Sequence, residues 1–206
     1  LFPIFYEYYK KQGVDHFYMY YNGVITDEIN KIVNIRDVTL IEWDFRYWNW
    51  KRGHKYEHHA QLGQLHHAIY KYGKDISDYM IFCDLDEYLH IQGKTLKEYI
   101  LENKTVDIFG FSNYWSKLIN TDTFPTTFPT TFLHSDKNEY PHQGKNILKI
   151  KNIETIGIHD HHVFNHPNPV LKTDSHMMFH FYYWCNYDNH RPERNNIMYT
   201  HRAHIH

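Results

Sequence analysis

Cysteine is almost absent: Cys83 and Cys185 are the two in a chain of 206 residues. No disulfide framework is indicated, and a reducing compartment fits. Neither Cys-x-x-Cys nor His-Glu-x-x-His occurs, so the structural-zinc and zinc-protease signatures are missing. Glycine is scarce, at nine residues. There is no Gly-rich phosphate loop and no Gly-x-Ser-x-Gly elbow, which argues against a P-loop nucleotidase and a serine hydrolase of the α/β-hydrolase type. No apolar run approaches the length of a membrane span and no signal peptide is visible, so a cytoplasmic location is expected. A formal net charge of -2 makes neither nucleic acid nor an acidic membrane surface an obvious partner. Arginine is also rare, 6 against 16 lysines, which reads as coding bias rather than physics.

What is abundant is histidine, with 19 residues, and aromatic side chains, at 18%. The imidazoles could add positive charge below about pH 6.5. Tyr and Trp faces suit sugar binding, but they also fill cores, and most are expected to do the latter. The length suffices for one domain with a real core. The chain opens at Leu1 without Met, directly in amphipathic sequence. That opening suggests an excised domain or a trimmed N-terminus.

Apolar residues at 1, 2, 4, 5, 8 and 9, closed by Gly13, predict a first helix over 1–12. His16 to Tyr21 reads as a strand closed by the turn pair Asn22-Gly23. Thr26 caps a helix over Asp27 to Asn34, and Val38 to Trp43 reads as a strand. An aromatic and basic loop, Asp44 to His54, follows. Lys55 to Tyr72 is predicted as a long helix ended by Gly73, with His58, Gln61, Leu65, Ala68 and Tyr72 on one face. Thr95 starts a helix over Leu96 to Leu101, and Val106 to Phe111 is strand-like. This alternation predicts an α/β fold with a mostly parallel sheet flanked by helices. Beyond Phe111 the Pro- and Thr-rich repeat Phe124 to Phe132 reads as an irregular loop over the site. Lys145 to Ile150 and Ile153 to Ile158 are strand-like.

The strongest constellation is Tyr79-Met80-Ile81-Phe82-Cys83-Asp84-Leu85-Asp86-Glu87. A buried-type strand runs into Asp-x-Asp, and alternation in an extended chain puts Asp84 and Asp86 on one face with Glu87 on the other. Carboxylates at the end of a buried strand are costly unless a cation or positive partner sits there. They supply hard oxygen ligands for Mg²⁺ or Mn²⁺, usually shared with substrate phosphates. Glu87 is expected to bond backbone or a basic side chain instead. His159 and His161, just past a strand, are either metal ligands beside those carboxylates or part of a solvated loop. His176 and His180 are either zinc ligands or imidazoles satisfied in an aromatic core. Gln61 could reach a base or sugar hydroxyl, or be an ordinary surface amide. Arg46, Lys51 and Arg52, interleaved with Trp48 and Trp50, could hold a phosphate or lie in a solvated loop.

The succession Tyr8-Tyr9-Lys10-Lys11-Gln12-Gly13-Val14-Asp15-His16-Phe17-Tyr18-Met19-Tyr20, then Gln61 ahead of Ala68-Ile69-Tyr70-Lys71-Tyr72-Gly73, then Phe82 to Leu89, resembles the GT-A-fold glycosyltransferases of the family 92 and family 2-like group. His180-Phe181-Tyr182 resembles the His-Tyr-Arg segment near the end of that catalytic domain. The resemblance implies a GT-A-like (Rossmann-like) sheet with a small antiparallel element after the Asp-x-Asp strand, in one catalytic domain over 1–206. It implies transfer of a sugar from a nucleotide-diphosphate donor to a glycan or other hydroxyl acceptor. It also implies Mn²⁺ (or Mg²⁺) bridging Asp86 and the diphosphate, with Asp84 on the ribose or the metal's water shell and His159 or His161 completing the site. Gln61, Arg52 and His180 are the further donor-binding candidates. Two features depart from the pattern. Relatives begin with a strand that would lie before Leu1. No Glu-Asp pair of the type that supplies the base follows Phe111, which leaves Asp136, Glu139 and Asp160 as candidates, Asp160 foremost. A catalytically silent sugar-nucleotide or glycan-binding module and a His-rich metal-binding or hydrolytic protein are the alternative readings.

Overall fold

A computed structural model describes residues 1–45, 49–51, 54–56, 59–120, 124–136, 144–159, 162–165, 169–184 and 197–205. The first helix, α1 (Phe2–Lys11), forms where the apolar spacing places it, with Pro3 in its first turn and Lys10 and Lys11 in its last. Both choices suit a helix, since Pro needs no amide donor there and cations favour the carboxyl end. Gly13 stops it at φ +86, a backbone state that favours glycine. A parallel unit follows: β1 (Phe17–Tyr21), α2 (Asp27–Val33), β2 (Val38–Glu42), with Phe17 opposite Val38. The Thr26 hydroxyl caps α2 by accepting from the Ile29 amide.

The next segment departs from expectation. The loop expected over 44–54 contains a short hairpin, β3 (Asn49–Lys51) with β4 (His54–Tyr56). The helix therefore begins not at Lys55 but at α3 (His59–Ala68). It also outruns Gly73: a π-type turn over Ile69–Gly73 leads into α4 (Lys74–Ile76). Gly73 is needed for close packing, because a Cβ there would lie 2.7 Å from Met80 Sδ and 2.9 Å from Ile150 Cγ2.

β5 (Tyr79–Ile81) is shorter than expected, and a turn separates it from β6 (Glu87–Ile91). α5 (Leu96–Glu102) starts on a capping box made by Thr95 and Glu98. The remaining strands are β7 (Ile108–Lys117), β8 (Thr131–His134), β9 (Lys145–Lys149), β10 (Ile153–Thr155), β11 (Val163–Phe164), β12 (Val170–Leu171), β13 (His176–His180) and β14 (His201–His204). Eight of the strands join one sheet, in which β14-β8-β7-β13-β6 is the main path, β9 and β12 branch from β7, and β5 pairs with β9. The expected mostly parallel sheet is wrong. Pairing is parallel only for β12 and β13 against β7 and antiparallel elsewhere in this sheet. Among the described residues no α-helix lies between the strands that follow α5, and a parallel neighbour generally needs such a crossover. β7 is long enough to pair with β9 at one end and β8 at the other, which curls the sheet.

α1 closes an edge of this sheet with side chains. The Tyr9 hydroxyl donates to Glu87 O (2.9 Å) and accepts from the Leu89 amide (3.0 Å), while Tyr8 donates to Leu89 O (2.8 Å). Two tyrosines thus stand in on this side of β6, where no strand pairs with it among the described residues. Tyr9→Phe strips two buried backbone groups of their partner, so it should cost about 1–3 kcal/mol of stability by urea unfolding. An unchanged midpoint would show that the edge finds another partner. The repeat over 124–132 is held down by Phe128, whose ring lies 4.4 Å from Tyr8 and 4.7 Å from Tyr88.

The other edges of β1 and β5 both border a cavity of about 1160 Å³, and among the described residues no strand pairs with either on that side.

Candidate functional site

The chain turns sharply at the Asp-x-Asp motif. The Glu87 amide donates to Asp84 O at 3.1 Å, closing a four-residue turn between β5 and β6. The segment is not extended, so the expectation that Asp84 and Asp86 share one face does not hold. Their surroundings are opposite. The Asp84 side chain is 60% exposed and lines the cavity, whereas that of Asp86 is 6% exposed. Asp86 Oδ2 lies 3.5 Å from His180 Nε2. Cys83, expected inside a strand, precedes the turn and donates weakly to the Tyr9 hydroxyl. Burial pushes its thiol well above the ordinary value, which disfavours the thiolate.

The pleat gathers the rest. His180 sits opposite Glu87 on one side and Trp115 on the other, which places all three on one face of the sheet. Phe111, on the same face of β7 as Trp115, is opposite Lys145. Lys145 Nζ lies 3.4 Å from Glu87 Oε2 and 3.8 Å from Asp84 Oδ2. That same Glu87 oxygen accepts the Asp84 amide at 2.8 Å. Glu87 thus bonds both backbone and a basic side chain, as its sequence position suggested. Its Oε1 is 3.9 Å from His180 Nδ1, and the His180 ring is 4.7 Å from that of Trp115.

Glu87 and Lys145 are both almost wholly buried. Burial by itself lowers the lysine's pKa, but Glu87 and then Asp84 outweigh it and hold the ammonium above its usual value. Burial raises the Glu87 carboxyl, with Lys145 working against it. Gly144 lets β9 approach: a Cβ there would fall 2.1 Å from Phe111 O. Lys145, the cation of this corner, was read in the sequence merely as the start of a strand. The available signal was the alternation Lys145, Ile147, Lys149, which puts the lysine on the face of a buried isoleucine.

Gln61 borders the cavity with Leu65, Ala68 and Tyr72, the helical face expected from their spacing. Tyr72 stacks on Tyr18 of β1 at 4.6 Å across this wall. His159 lies past β10 with Nδ1 3.3 Å from Gly144 O. Asp136 is exposed and bonded to His201. Asp160, His161, Arg46, Trp48, Arg52, His58, Glu139 and Cys185 lie outside the described residues, and the side chains of Trp50 and Lys51 are not described. Among the described residues no group of three or more His, Cys, Asp or Glu gathers to hold a metal.

His176 is a core residue. Its Nδ1 must donate to Gly110 O (3.1 Å), since a carbonyl only accepts, and its Nε2 takes the Tyr99 hydroxyl proton (3.0 Å). Both nitrogens are used by the neutral ring. Burial lowers the pKa of His176, His90 and His134. A depressed folded value means that this stability is whole above the unfolded pKa of ~6.5 and is lost as pH falls through the folded ones. The melting temperature should therefore drop between pH 7.5 and pH 5. A flat profile over that range would mean that these rings titrate normally in the folded protein.

The sequence profile described as Glycosyltransferase family 92 matches residues 2–206, essentially the whole chain. The chain belongs to glycosyltransferase family 92. No curated protein matches it. Family 92 membership gives the acidic corner a context, since a glycosyltransferase needs places for a sugar donor and an acceptor. No helix among the described residues of this family 92 chain is long and apolar enough to cross a membrane.

Proposed function

We propose that this chain transfers a sugar from a nucleotide-diphosphate donor, held in the cavity between β1 and β5, to an acceptor hydroxyl with the help of Mn²⁺ or Mg²⁺. The observation that carries the reading is the Asp84 carboxylate on the cavity wall, at the turn that also holds Asp86. The donor set fits such a cation: hard carboxylate oxygens, one of them open to the cavity, with no preformed cage among the described residues. Mg²⁺-like ions take one or two carboxylates and complete their shell with phosphate oxygens and water. Asp84 would hold it from the cavity wall, with His159 or His161 the candidate second protein ligand, while Asp86, buried against His180, would fix the turn that presents Asp84. When bound, the ion supplies Lewis-acid stabilisation of negative charge on the departing diphosphate.

The chain's own residues do the rest. Gln61 offers an amide to the base or a sugar hydroxyl. The Tyr18 and Tyr72 rings offer flat apolar surface at the same wall. His180, beside Asp86, holds that carboxylate on the dry side of the turn. Arg52 is a further candidate for the donor, and Asp160 for the base that draws the acceptor proton.

A thermal-shift screen of nucleotide sugars with and without Mn²⁺ tests this directly, because a ligand of the native form raises its melting temperature. At least one nucleotide sugar should raise it, more so with Mn²⁺; no shift with any donor removes the proposal. A second reading retains donor binding and omits transfer. It is favoured by Asp136, the one described base candidate, being exposed and tied to His201. Donor binding by calorimetry together with no hydrolysis or transfer to any acceptor would select it.

A further inference from the structure

Lys145 is a charged side chain buried at 3% exposure, yet it borders the cavity. Its position follows from β9: Gly144 lets the strand meet Phe111 without a Cβ in the way, and the next residue lies on the cavity face. Two carboxylates flank the ammonium unequally. Glu87, at 3.4 Å, is almost fully buried and needs a counter-ion. Asp84, at 3.8 Å, is largely exposed and already solvated. Structural pairing alone does not account for the arrangement, since buried ion pairs are often no more stabilising than apolar residues of like volume. Glu87 Oε2 also fixes the Asp84 amide, so a single carboxylate orients both the cavity-facing acid and the cation beside it.

We propose that Lys145 is the chain's own cation for the donor, an ammonium fixed by Glu87 that takes a diphosphate oxygen at the Asp84 end of the cavity. A compact point charge with three donors suits a phosphate group. The inference rests on the nucleotide-diphosphate reading of the same cavity and adds the residue that recognises its charged part. It places positive charge at this wall even without a divalent ion, so diphosphate binding should persist in excess chelator, weakened but measurable. Neutralising Asp84 should strengthen that residual binding by removing the competing anion.

The test compares three proteins by calorimetry against UDP, GDP and the corresponding free nucleosides, each with Mn²⁺ and with chelator. They are the unaltered chain, Glu87→Gln, and the double variant Lys145→Met with Glu87→Gln. Lys145→Met alone leaves Glu87 buried without its cation and is liable to misfold, whereas the double variant removes both charges together. Glu87→Gln keeps the ammonium and loses the carboxylate that fixes it, so it is the reference against which the double variant is read. The double variant should bind it about 10- to 100-fold more weakly than Glu87→Gln. Its affinity for the nucleoside should be unchanged, and a general distortion of the cavity would not spare the nucleoside. Equal diphosphate affinity in Glu87→Gln and the double variant overturns the role of Lys145 and leaves the transferase reading standing. No diphosphate binding by the unaltered chain overturns both.

Discussion

Asp84→Asn is expected to cut sugar transfer on the order of 100- to 1,000-fold while leaving the fold in place. The side chain is 60% exposed on the cavity wall, and its ion pair to Lys145 is loose at 3.8 Å. The amide keeps the shape and loses the charge that would hold a divalent cation. The turn survives, because it is closed by the Asp84 carbonyl and by its amide bond to Glu87, not by its carboxylate. Asp86→Asn should lower transfer less and cost stability instead, since Asp86 is buried against His180 rather than open to the cavity. Steady-state turnover and circular dichroism melts on the same preparations separate the two effects. Full turnover by Asp84→Asn, or full turnover in excess chelator, would remove the metal-dependent mechanism.

The second large effect is on stability. Glu87→Ala should cost about 3–5 kcal/mol, a large share of the ~5–15 kcal/mol that holds a typical domain folded. The substitution leaves the Lys145 ammonium buried with Asp84 alone for company. It also removes the acceptor of the Asp84 amide. Urea unfolding followed by tryptophan fluorescence measures the loss. Adding Lys145→Met should recover most of it, since the stranded charge is then gone. A Glu87→Ala protein as stable as the unaltered chain would mean that water reaches Lys145 freely.

The elements legible in the sequence are those set by local periodicity and capping. α1 ends where Gly13 stands, α2 starts on Thr26, and α5 starts on Thr95. The cavity-facing row Gln61, Leu65, Ala68 and Tyr72 was readable for the same reason. The order of motifs also carried the family, because it lies in the chain itself. Strand pairing did not show, since the described partners of β7, which are β8, β9, β12 and β13, come from well separated points later in the chain. Ser112, Asn113 and Ser116 are buried polar residues of that strand, so its burial is not written as an apolar run. The Asp-x-Asp segment misled for a related reason. A run of buried-type residues predicts a strand, but the turn that ends it is fixed by Glu87 and Lys145, and Lys145 arrives from β9. The helix expected from Lys55 yielded its first turn to the β3–β4 hairpin.

The two strand borders that face each other across the cavity bear on how the protein behaves in a tube. An unfilled strand border is a template for main-chain bonding by another polypeptide, and proteins usually guard such borders with charge. β5 presents Tyr79-Met80-Ile81 there and β1 presents Phe17 to Tyr20, all of them apolar or aromatic. Charged residues line the same cavity, Lys97, Lys104, Lys145 and Lys149 with Asp15, Asp78 and Asp84, so the protection they give is electrostatic and fades as salt is added. Concentrated stocks of this chain should therefore clump more readily in high salt than in low, the reverse of what salting-in would give.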